Sequence, residues 1–324
     1  MRGPLISVVM PSYNCERTVA AAVLGLVNQL YRDWELIVVD DGSQTDIEPE
    51  IAQFDDSRIR LLRLAENGGV GRALNVALTE SRGRYIARMD ADDYMEEWRL
   101  GEQLRFLMLE GLSLCGTAAQ KFGAETGTIN SPIHGGSIVD SFFTGNPFVH
   151  PTMMFDRARL GGKLMYDDGF RCEEDYELFA RLITPDNCAN MAEVTVKYRV
   201  HPGGNANHPT KPVFNRLALE RFASRMGVGD IAPVAELSEL QMGGFVDEPA
   251  FRKLAAYAHQ ATCHNLPRLG FLQGPLTAFV DYARFIAWLD SHQASCMGAS
   301  SDEPQLFAVG KPTAKAWRTR RGAQ

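Results

Sequence analysis

The sequence predicts an α/β domain built on a doubly wound sheet, because apolar runs alternate with helical patterns along its first hundred residues. Runs rich in Val, Ile and Leu are typical of parallel strands that are buried on both faces. Strands are expected at residues 5–10, 34–39, 59–64 and 85–89, with helices at 16–30, 47–54 and 72–79. We therefore expect a sheet with helices on both faces.

The rest of the chain is less regular. A helix at 103–109 and a strand at 112–117 precede a glycine-containing stretch that we expect to be a mobile acceptor loop. A short strand at 153–155 follows, then a helix that has residues 173–175 in its first turn and continues to residue 182, and then a closing segment at 196–201. Residues 203–209 have the composition of a linker. Helical patterns then dominate at residues 213–226, 231–240, 249–263 and 275–289. We expect a catalytic domain at 1–204 and a helical extension at 205–324.

Composition narrows the class of protein. The net charge of −7 argues against a general nucleic-acid binder, which normally has a basic surface. The six cysteines lack zinc-site spacing and favour reduced thiols in a cytoplasmic protein. No signal peptide or membrane span is predicted. The basic stretch 311–321 favours a solvated tail, and peripheral contact with the inner face of a membrane stays open as the alternative.

Polar residues follow each of the first four strands. In doubly wound sheets, ligands bind beyond the carboxyl ends of the strands. These ends carry Pro11–Asn14, Asp40–Ser43, Asn67–Arg72 and Asp90–Asp93. They supply the aromatic ring of Tyr13, several carboxylates and a glycine backbone, which together suit a nucleotide.

The last of these ends places Asp90, Asp92 and Asp93 within four residues. Carboxylates so close repel one another, and a divalent cation relieves that repulsion. Mn²⁺ and Mg²⁺ prefer such oxygen ligands and retain positions for phosphate. A solvated acidic turn or a helix cap is the alternative.

Other nucleotide-binding folds fit poorly. Gly69 and Gly71 supply only two of the three glycines of a dinucleotide-binding fingerprint, and no G-x-x-x-x-G-K-[ST] motif occurs. A nucleotidyltransferase would place a glycine-rich loop with a basic residue after the first strand, where this chain has Pro11–Asn14.

Four segments together carry a family resemblance. They are Ser7–Asn14, Val38–Ser43, Asn67–Gly69 with Arg72–Asn75, and Arg88–Asp93 with Arg99 and Leu100. In this order they resemble family 2 glycosyltransferases of the GT-A fold, and the resemblance extends over about residues 4–202. It implies a Rossmann-like mixed sheet, a nucleotide-diphosphate-sugar donor, a Mn²⁺ or Mg²⁺ ion and inversion at the anomeric carbon.

The resemblance also implies roles for individual residues. Asp92, Asp90 and Asp93 are the implied metal ligands. Tyr13 and Asp41 would hold the base of the nucleotide, and Asp40 would support the same pocket. The full set implied to bind the nucleotide sugar is Pro11, Tyr13, Asn14, Asp40, Asp41, Asn67, Gly68, Arg72, Asp90, Ala91 and His201.

A second acid-rich stretch begins at Glu173. Glu174–Leu178 resembles the acidic motif that supplies the family's catalytic base, so Asp175 is the expected base and Glu174 the alternative. An acceptor hydroxyl needs such a carboxylate to take its proton. The simpler interpretation is that these acids complement a helix dipole. His201 ends a segment resembling the family's Y-R-x-H motif, and His150 is placed on the acceptor side; either could instead be an ordinary histidine.

The sequence lacks the Q-x-x-R-W motif of processive members. We therefore expect an enzyme that transfers one sugar per encounter, with a UDP-sugar favoured as donor. The resemblance implies a glycan or lipid-linked glycan acceptor and a role in bacterial cell-surface polysaccharide synthesis. A non-catalytic nucleotide-sugar-binding subunit of a glycan-assembly complex is the alternative. The sequence does not predict the oligomeric state.

Overall fold

The computed structural model describes residues 5–142, 145–201 and 210–226. The chain divides into two units, one of Met1–Ile138 with Pro147–Phe214 and one of Val139–Asn146 with Asn215–Gln324. In the described part of the second unit, the ring centroids of Phe142 and Phe222 lie 4.3 Å apart. The predicted linker and the last three predicted helices lie outside the described residues, as does the basic stretch 311–321. The domain boundary at residue 204 therefore stays a prediction.

The described strands form one mixed sheet. They are β1 (Ile6–Ser12), β2 (Trp34–Asp40), β3 (Ile59–Arg63), β4 (Tyr85–Arg88), β5 (Tyr94–Met95), β6 (Leu114–Gly123), β7 (Gly127–Ile129), β8 (Met154–Asp156) and β9 (Cys188–Val200). Their order is β3-β2-β1-β4-β8-β6-β9-β5, with β7 beside β6. The first four are parallel, as predicted, whereas β8 runs antiparallel to both β4 and β6.

The helices alternate with the parallel strands, which confirms the predicted α/β class. They are α1 (Val19–Val27), α2 (Glu48–Ala52), α3 (Val70–Glu80), α4 (Arg99–Leu109), α5 (Gly135–Phe142), α6 (Arg157–Leu160), α7 (Glu174–Leu182) and α8 (Lys211–Arg225). Short 3-10 turns occur at His150–Thr152 and Gly161–Lys163. None of the helices within the described ranges combines the length and the apolar content that a bilayer-spanning segment needs.

The core explains why β1 and β2 are largely apolar. Every residue of both strands is buried. Val8 and Met10 of β1 belong to one apolar cluster with Val23 of α1 and Leu104 of α4. Burying such side chains is worth about 1.5–3 kcal/mol each. These helices hold one face of the sheet and leave the carboxyl ends of the strands for polar residues.

The first strand runs two residues further than the sequence indicated. Pro11 was expected to end it, but Pro11 and Ser12 continue the ladder opposite Val39 and Asp40. The carbonyl groups of β1 point alternately toward β4 and toward β2. Val9 O accepts from Met89 N, which follows β4, and Ser12 O accepts from Asp41 N, which follows β2. Pro11 faces the same side as Val9, where β4 has already ended at Arg88. The missing N–H of proline therefore removes no ladder bond.

The expected acceptor loop is largely regular structure. β6 continues to Gly123, β7 pairs with it antiparallel, and α5 begins at Gly135. β9 is also longer than expected, since it pairs in parallel with almost all of β6. The ladder between β6 and β9 changes register between Thr117 and Ala119. These irregularities interrupt the alternation of apolar and polar residues by which a strand is recognised in sequence.

Candidate functional site

The polar residues that follow the parallel strands meet at one edge of the sheet. Hydrogen bonds join the loops after β1 and β2: Asn14 N donates to Ser43 Oγ over 2.8 Å, and Gln44 N donates to Asn14 Oδ1 over 3.1 Å. Asn14 has a φ of 52°, a conformation that asparagine tolerates better than most residues. Tyr13 beside it is 46% exposed, and Pro11 is buried in β1. The ring of Tyr13 is thus available to a ligand at this edge.

Two buried carboxylates hold these loops in shape. Asp40 accepts from Ser43 N over 3.0 Å and from Arg63 Nε over 3.0 Å. Asp41 accepts from the backbone N–H groups of Gly68 and Gly69, over 2.9 and 2.8 Å. Both residues are at most 3% exposed. These carboxylates fix the backbone of the loops at this edge of the sheet.

Gly42 shows how closely the loops approach. It has a φ of 72°, and a Cβ there would lie 2.7 Å from the carbonyl carbon of Glu66. Asn67 and Gly68 are exposed at the start of the glycine loop. Arg72 lies against Gly68, and its ion pair among the described residues is with Glu66, at 3.8 Å. The cation of Arg72 is half exposed and remains accessible to an anion.

The three aspartates after β4 form a compact cluster. One oxygen from each of Asp90, Asp92 and Asp93 can be chosen so that all lie within 4.8 Å of one another. Each carboxylate uses one oxygen in a bond to the protein: Asp90 accepts from Arg88, Asp92 contacts His201, and Asp93 accepts from Arg199 N. Within the described residues the other oxygen of each has no partner, and that of Asp93 is buried. Ala91, between them, is also buried.

Burial shifts the pKa of Asp90 and of Asp93. The pKa of Asp93 is raised to about 8, mainly by burial and then by the negative charge of Asp90. The pKa of Asp90 is also raised by burial, against the opposing effect of Arg88. A buried carboxylate oxygen without a donor is costly unless a proton or a cation satisfies it. The donor set is therefore one that a hard divalent cation fits.

The end of β9 completes the cluster. His201 Nε2 lies 2.6 Å from Asp92 Oδ2, and Arg199 Nε donates to the backbone oxygen of Asp92 over 2.9 Å. The guanidinium of Arg199 stacks over Phe122 at 4.4 Å from the ring centroid. Cation–π stacking of this kind fixes the orientation of an arginine. Sequence reasoning selected His201 but missed the contacts of Arg199, the second residue of the same Y-R-x-H segment.

The second acid group lies at the start of α7. Glu174 is buried and Asp175 is partly exposed. Burial, together with the charge of Asp175, raises the pKa of Glu174 to about 8. Burial, together with the charge of Glu173, raises the pKa of Asp175 to about 6. At neutral pH, Asp175 is mainly ionised and Glu174 mainly protonated.

A buried histidine faces this pair. His150 Nδ1 lies 4.0 Å from Glu174 Oε1, and its Nε2 lies 2.8 Å from the hydroxyl of Tyr166. Burial lowers the pKa of His150 and raises that of Tyr166, so both are neutral near pH 7. Asn75 of α3 donates to Tyr166 O over 2.9 Å and accepts from Tyr166 N over 2.8 Å. The structure thus places His150 next to the acid pair.

Sequence reasoning missed Tyr166, Asn75 and the side chain of Arg88 as parts of the site. Asn75 and Arg88 belong to the segments that carry the family resemblance, and that was the available signal. Tyr166 lies in an unpatterned stretch, and only the fold brings it to Asn75, 91 residues away in the chain.

Comparisons with known proteins show what this chain is similar to. The model of glycosyl transferase family 2 matches residues 7–162. The chain is similar to WfgD of Escherichia coli, a UDP-Glc:alpha-D-GlcNAc-diphosphoundecaprenol beta-1,3-glucosyltransferase, with 30% identity over 60% of this chain and 77% of the relative. It is also similar to the O-antigen biosynthesis glycosyltransferase WbnJ of Escherichia coli, with 30% identity over 61% of this chain and 80% of the relative.

The fold has solved counterparts. The crystal structure of S. aureus TarS 1-349 in complex with UDP-GlcNAc aligns with a TM-score of 0.62, over 95% of this chain and 98% of that one. The two sequences are 16% identical, so this likeness shows the fold alone. It confirms the mixed-sheet GT-A fold that the sequence resemblance implied.

Proposed function

Because the chain belongs to glycosyl transferase family 2, we propose that it is a metal-dependent, inverting enzyme that transfers one sugar to an acceptor hydroxyl. The donor is a nucleotide-diphosphate sugar, with a UDP-sugar favoured. The observation that carries this proposal is the presence of two acid groups in one region, because the charges of Asp90, Glu174 and Asp175 all act on Tyr166. The Asp90–Asp93 cluster suits a cation, and the Glu174–Asp175 pair suits a proton transfer.

The nucleotide lies across the loops after β1, β2 and β3. The exposed ring of Tyr13 stacks on the base, and the rest of the donor lies against Asn67 and Gly68, which are exposed, and near the cation of Arg72. The bonds from Asp41 to the glycine loop and from Asn14 to the loop after β2 keep this surface preformed. A preformed surface lowers the entropic cost of ordering the site on binding.

Asp90, Asp92 and Asp93 would hold Mn²⁺ or Mg²⁺ through one carboxylate oxygen each. When bound, such an ion stabilises the negative charge that develops on the leaving diphosphate. His201 fixes Asp92, and Arg199 fixes the backbone of Asp92 together with one oxygen of Asp93. Contacts of this kind orient metal ligands and tune their affinity.

Asp175 removes the proton of the acceptor hydroxyl as that oxygen attacks the anomeric carbon. The bond from this carbon to the diphosphate breaks, and its electron pair leaves with the nucleotide. Asp175 suits this role better than Glu174, because it is less buried and its pKa of about 6 leaves it ionised at neutral pH. Glu174 stays mainly protonated beside it, since its pKa is raised to about 8.

The acceptor is a glycan or a lipid-linked glycan, and the pathway is bacterial cell-surface polysaccharide synthesis. The names of the two relatives support this, since one acts on a GlcNAc-diphosphoundecaprenol and the other serves O-antigen biosynthesis. A lipid-linked acceptor places the enzyme in the cytoplasm with peripheral contact at the inner face of the membrane. His150, next to Glu174, lies on the acceptor side of the site.

The test is release of free nucleotide from UDP-, GDP- and dTDP-sugars by the full-length chain with Mn²⁺. We expect slow UDP release from one UDP-sugar, loss of this release with EDTA, and faster release with the true acceptor. Donor-induced thermal stabilisation is measured in parallel, because a ligand that binds the folded state raises its apparent stability. Stabilisation by a donor with no nucleotide release from it would contradict the proposal and favour a non-catalytic nucleotide-sugar-binding subunit.

A further inference from the structure

The first residues of α8 lie against the segment that leads into α7. Three pairs of side chains meet there: Lys211 Nζ lies 3.1 Å from Glu173 Oε1, Thr210 Oγ1 lies 3.6 Å from Cys172 Sγ, and the ring centroids of Phe214 and Phe170 are 5.2 Å apart. All six residues belong to the first of the two units. The family match, over residues 7–162, does not reach this contact and assigns nothing to it.

Glu173 has a backbone conformation that glutamate rarely adopts. Its φ of 59° and ψ of 23° lie in the left-handed region, which costs free energy in a residue that has a Cβ. Such a conformation persists only where the surrounding structure holds it. Glu173 is also the residue immediately before α7, and its carbonyl oxygen accepts a hydrogen bond from Glu177 N over 3.0 Å. Its conformation therefore sets the direction in which α7 begins.

The side chain of Glu173 contacts α8 and does not cap α7. It makes no capping hydrogen bond, and its ion pair among the described residues is with Lys211. The two side chains are largely buried, with 15% of Glu173 and 25% of Lys211 exposed. A partly buried ion pair is screened less by salt than one on the surface. Lys211 thus ties the left-handed residue to a second helix.

The position of Asp175 depends on the start of α7. Asp175 is the second residue of this helix, and its Oδ1 accepts from Tyr176 N over 2.7 Å, so the carboxylate is bound to the backbone of the first turn. The other end of α7 is fixed separately, because Arg181 donates to Met165 O over 2.6 Å. A change in the turn at Glu173 would therefore displace Asp175 more than the end of the helix.

We propose that Lys211 is a positioning residue for the proposed base, because its contact with Glu173 holds the left-handed turn that places Asp175. This inference rests on the proposed function, which assigns the proton transfer to Asp175. Lys211 acts through Glu173 and not on the reacting atoms. The base must lie within hydrogen-bond reach of the acceptor hydroxyl, and a displacement of about 1 Å can cost about 100-fold in rate. Glu173→Gln keeps an oxygen acceptor for Lys211, so it should change the charge beside Asp175 and leave the turn in place.

The test is UDP release from the UDP-sugar that the wild-type chain turns over, at saturating Mn²⁺ and about pH 8.5. This pH is well above the pKa of Asp175, which is about 6, so the carboxylate is ionised and losing the charge of Lys211 does not change its protonation. We expect Lys211→Met to lower kcat by about 10- to 100-fold with the donor KM unchanged. Lys211→Arg keeps the ion pair and should retain most of kcat. Lys197→Met is the matched control, because Lys197 of β9 pairs with Glu96 instead, at 3.5 Å.

A second substitution tests whether Lys211 acts through the turn. Asparagine adopts the left-handed conformation more readily than glutamate. Glu173→Asn should therefore make the contact with Lys211 dispensable, so that adding Lys211→Met to it lowers kcat by no more than about twofold. Lys211→Gln replaces Lys211→Met if circular dichroism shows that Lys211→Met is unfolded.

The outcomes separate this inference from the proposed function. A wild-type protein that releases no nucleotide with any donor contradicts the proposed function itself. An active wild type whose kcat is unchanged by Lys211→Met, or lowered as much by Lys211→Arg, contradicts the role of Lys211. An equal loss of kcat from Lys211→Met in the wild-type and Glu173→Asn backgrounds also contradicts it, because Lys211 would then not act through the turn.

Discussion

Burial raises the pKa of Asp90 and Asp93 after β4 and that of Glu174 and Asp175 on α7, but the surroundings of the two groups of acids differ. Asp90, Asp92 and Asp93 each spend one oxygen on a side-chain or backbone contact, with Arg88, His201 and Arg199 respectively. Glu174 instead lies beside the neutral ring of His150, whose other nitrogen contacts Tyr166, and Asp175 is next to it in the chain. The aspartate cluster offers three carboxylates to one ligand, whereas the acid pair contains two carboxyls with different pKa values.

This difference shows that burial alone does not decide the use of an acidic residue. Three carboxylates around one point are satisfied together only by a cation, whereas two carboxyls with separated pKa values can divide protonated and ionised roles between them. Asp175 titrates near 6 and Glu174 near 8. Changes at the pair should therefore affect turnover, and changes around the cluster should affect metal affinity.

The largest expected effect is that of Asp175→Asn. The amide cannot accept the acceptor's proton, so turnover should fall by roughly 10²–10⁴. Donor binding should stay near normal, because the nucleotide loops and the aspartate cluster are unchanged. Steady-state kinetics and donor-induced thermal shifts measure the two quantities. Asp186→Asn, an exposed change just beyond the same helix, is the control. Wild-type turnover in Asp175→Asn would show that the base is another group.

His201→Asn should act on the other acid group. It removes the contact between His201 and Asp92, and losing such an outer contact typically costs about 10–100-fold in metal affinity. The Mn²⁺ concentration for half-maximal activity should rise by that factor, with turnover at saturating Mn²⁺ much less affected. The exposed His134→Asn is the control. An unchanged Mn²⁺ requirement would separate His201 from the metal site.

Tyr166→Phe tests the environment of the pair without touching the cluster. It leaves one nitrogen of buried His150 without its hydroxyl partner, which should lower the free energy of unfolding by about 1–3 kcal/mol. The stabilisation produced by Mn²⁺ should stay the same. Tyr31→Phe is the control, since the Tyr31 hydroxyl has no hydrogen bond to any described residue. Denaturant unfolding with and without Mn²⁺ measures both quantities, and equal stability of the two variants would contradict the role of the Tyr166 hydroxyl.

The comparison also separates what sequence can predict from what it cannot. The aspartate cluster was recognisable because its acids are neighbours in the chain, and the end of a buried strand fixes their place in a parallel sheet. The strands and helices of the first hundred residues were predictable for the same reason, because each is indicated by a pattern of neighbouring residues. The acid pair was recognisable as a motif, but its environment was not.

That environment depends on contacts between distant segments. Asn75 makes a hydrogen bond to Tyr166, which is 91 residues away in the chain, and the Tyr166 hydroxyl makes one with His150. The burial of Arg88 reflects where β8 and the turn at His150 pack, and nothing within β4 itself indicates it. The hairpin of β6 and β7 was not predicted because β7 has only three residues, two of them exposed, and so lacks the alternation that indicates a half-buried strand.

The smallest effect concerns pH, and it tests the division of roles within the pair. Asp175 works as a base when ionised, so activity should fall about tenfold per pH unit below its pKa of about 6. The negative charge of Glu173 contributes to raising that pKa. Glu173→Gln should therefore move the acidic limb to lower pH and increase activity at pH 5. The exposed Glu193→Gln should leave the limb unchanged. A limb that moves upward in Glu173→Gln would mean that the titrating group is not Asp175.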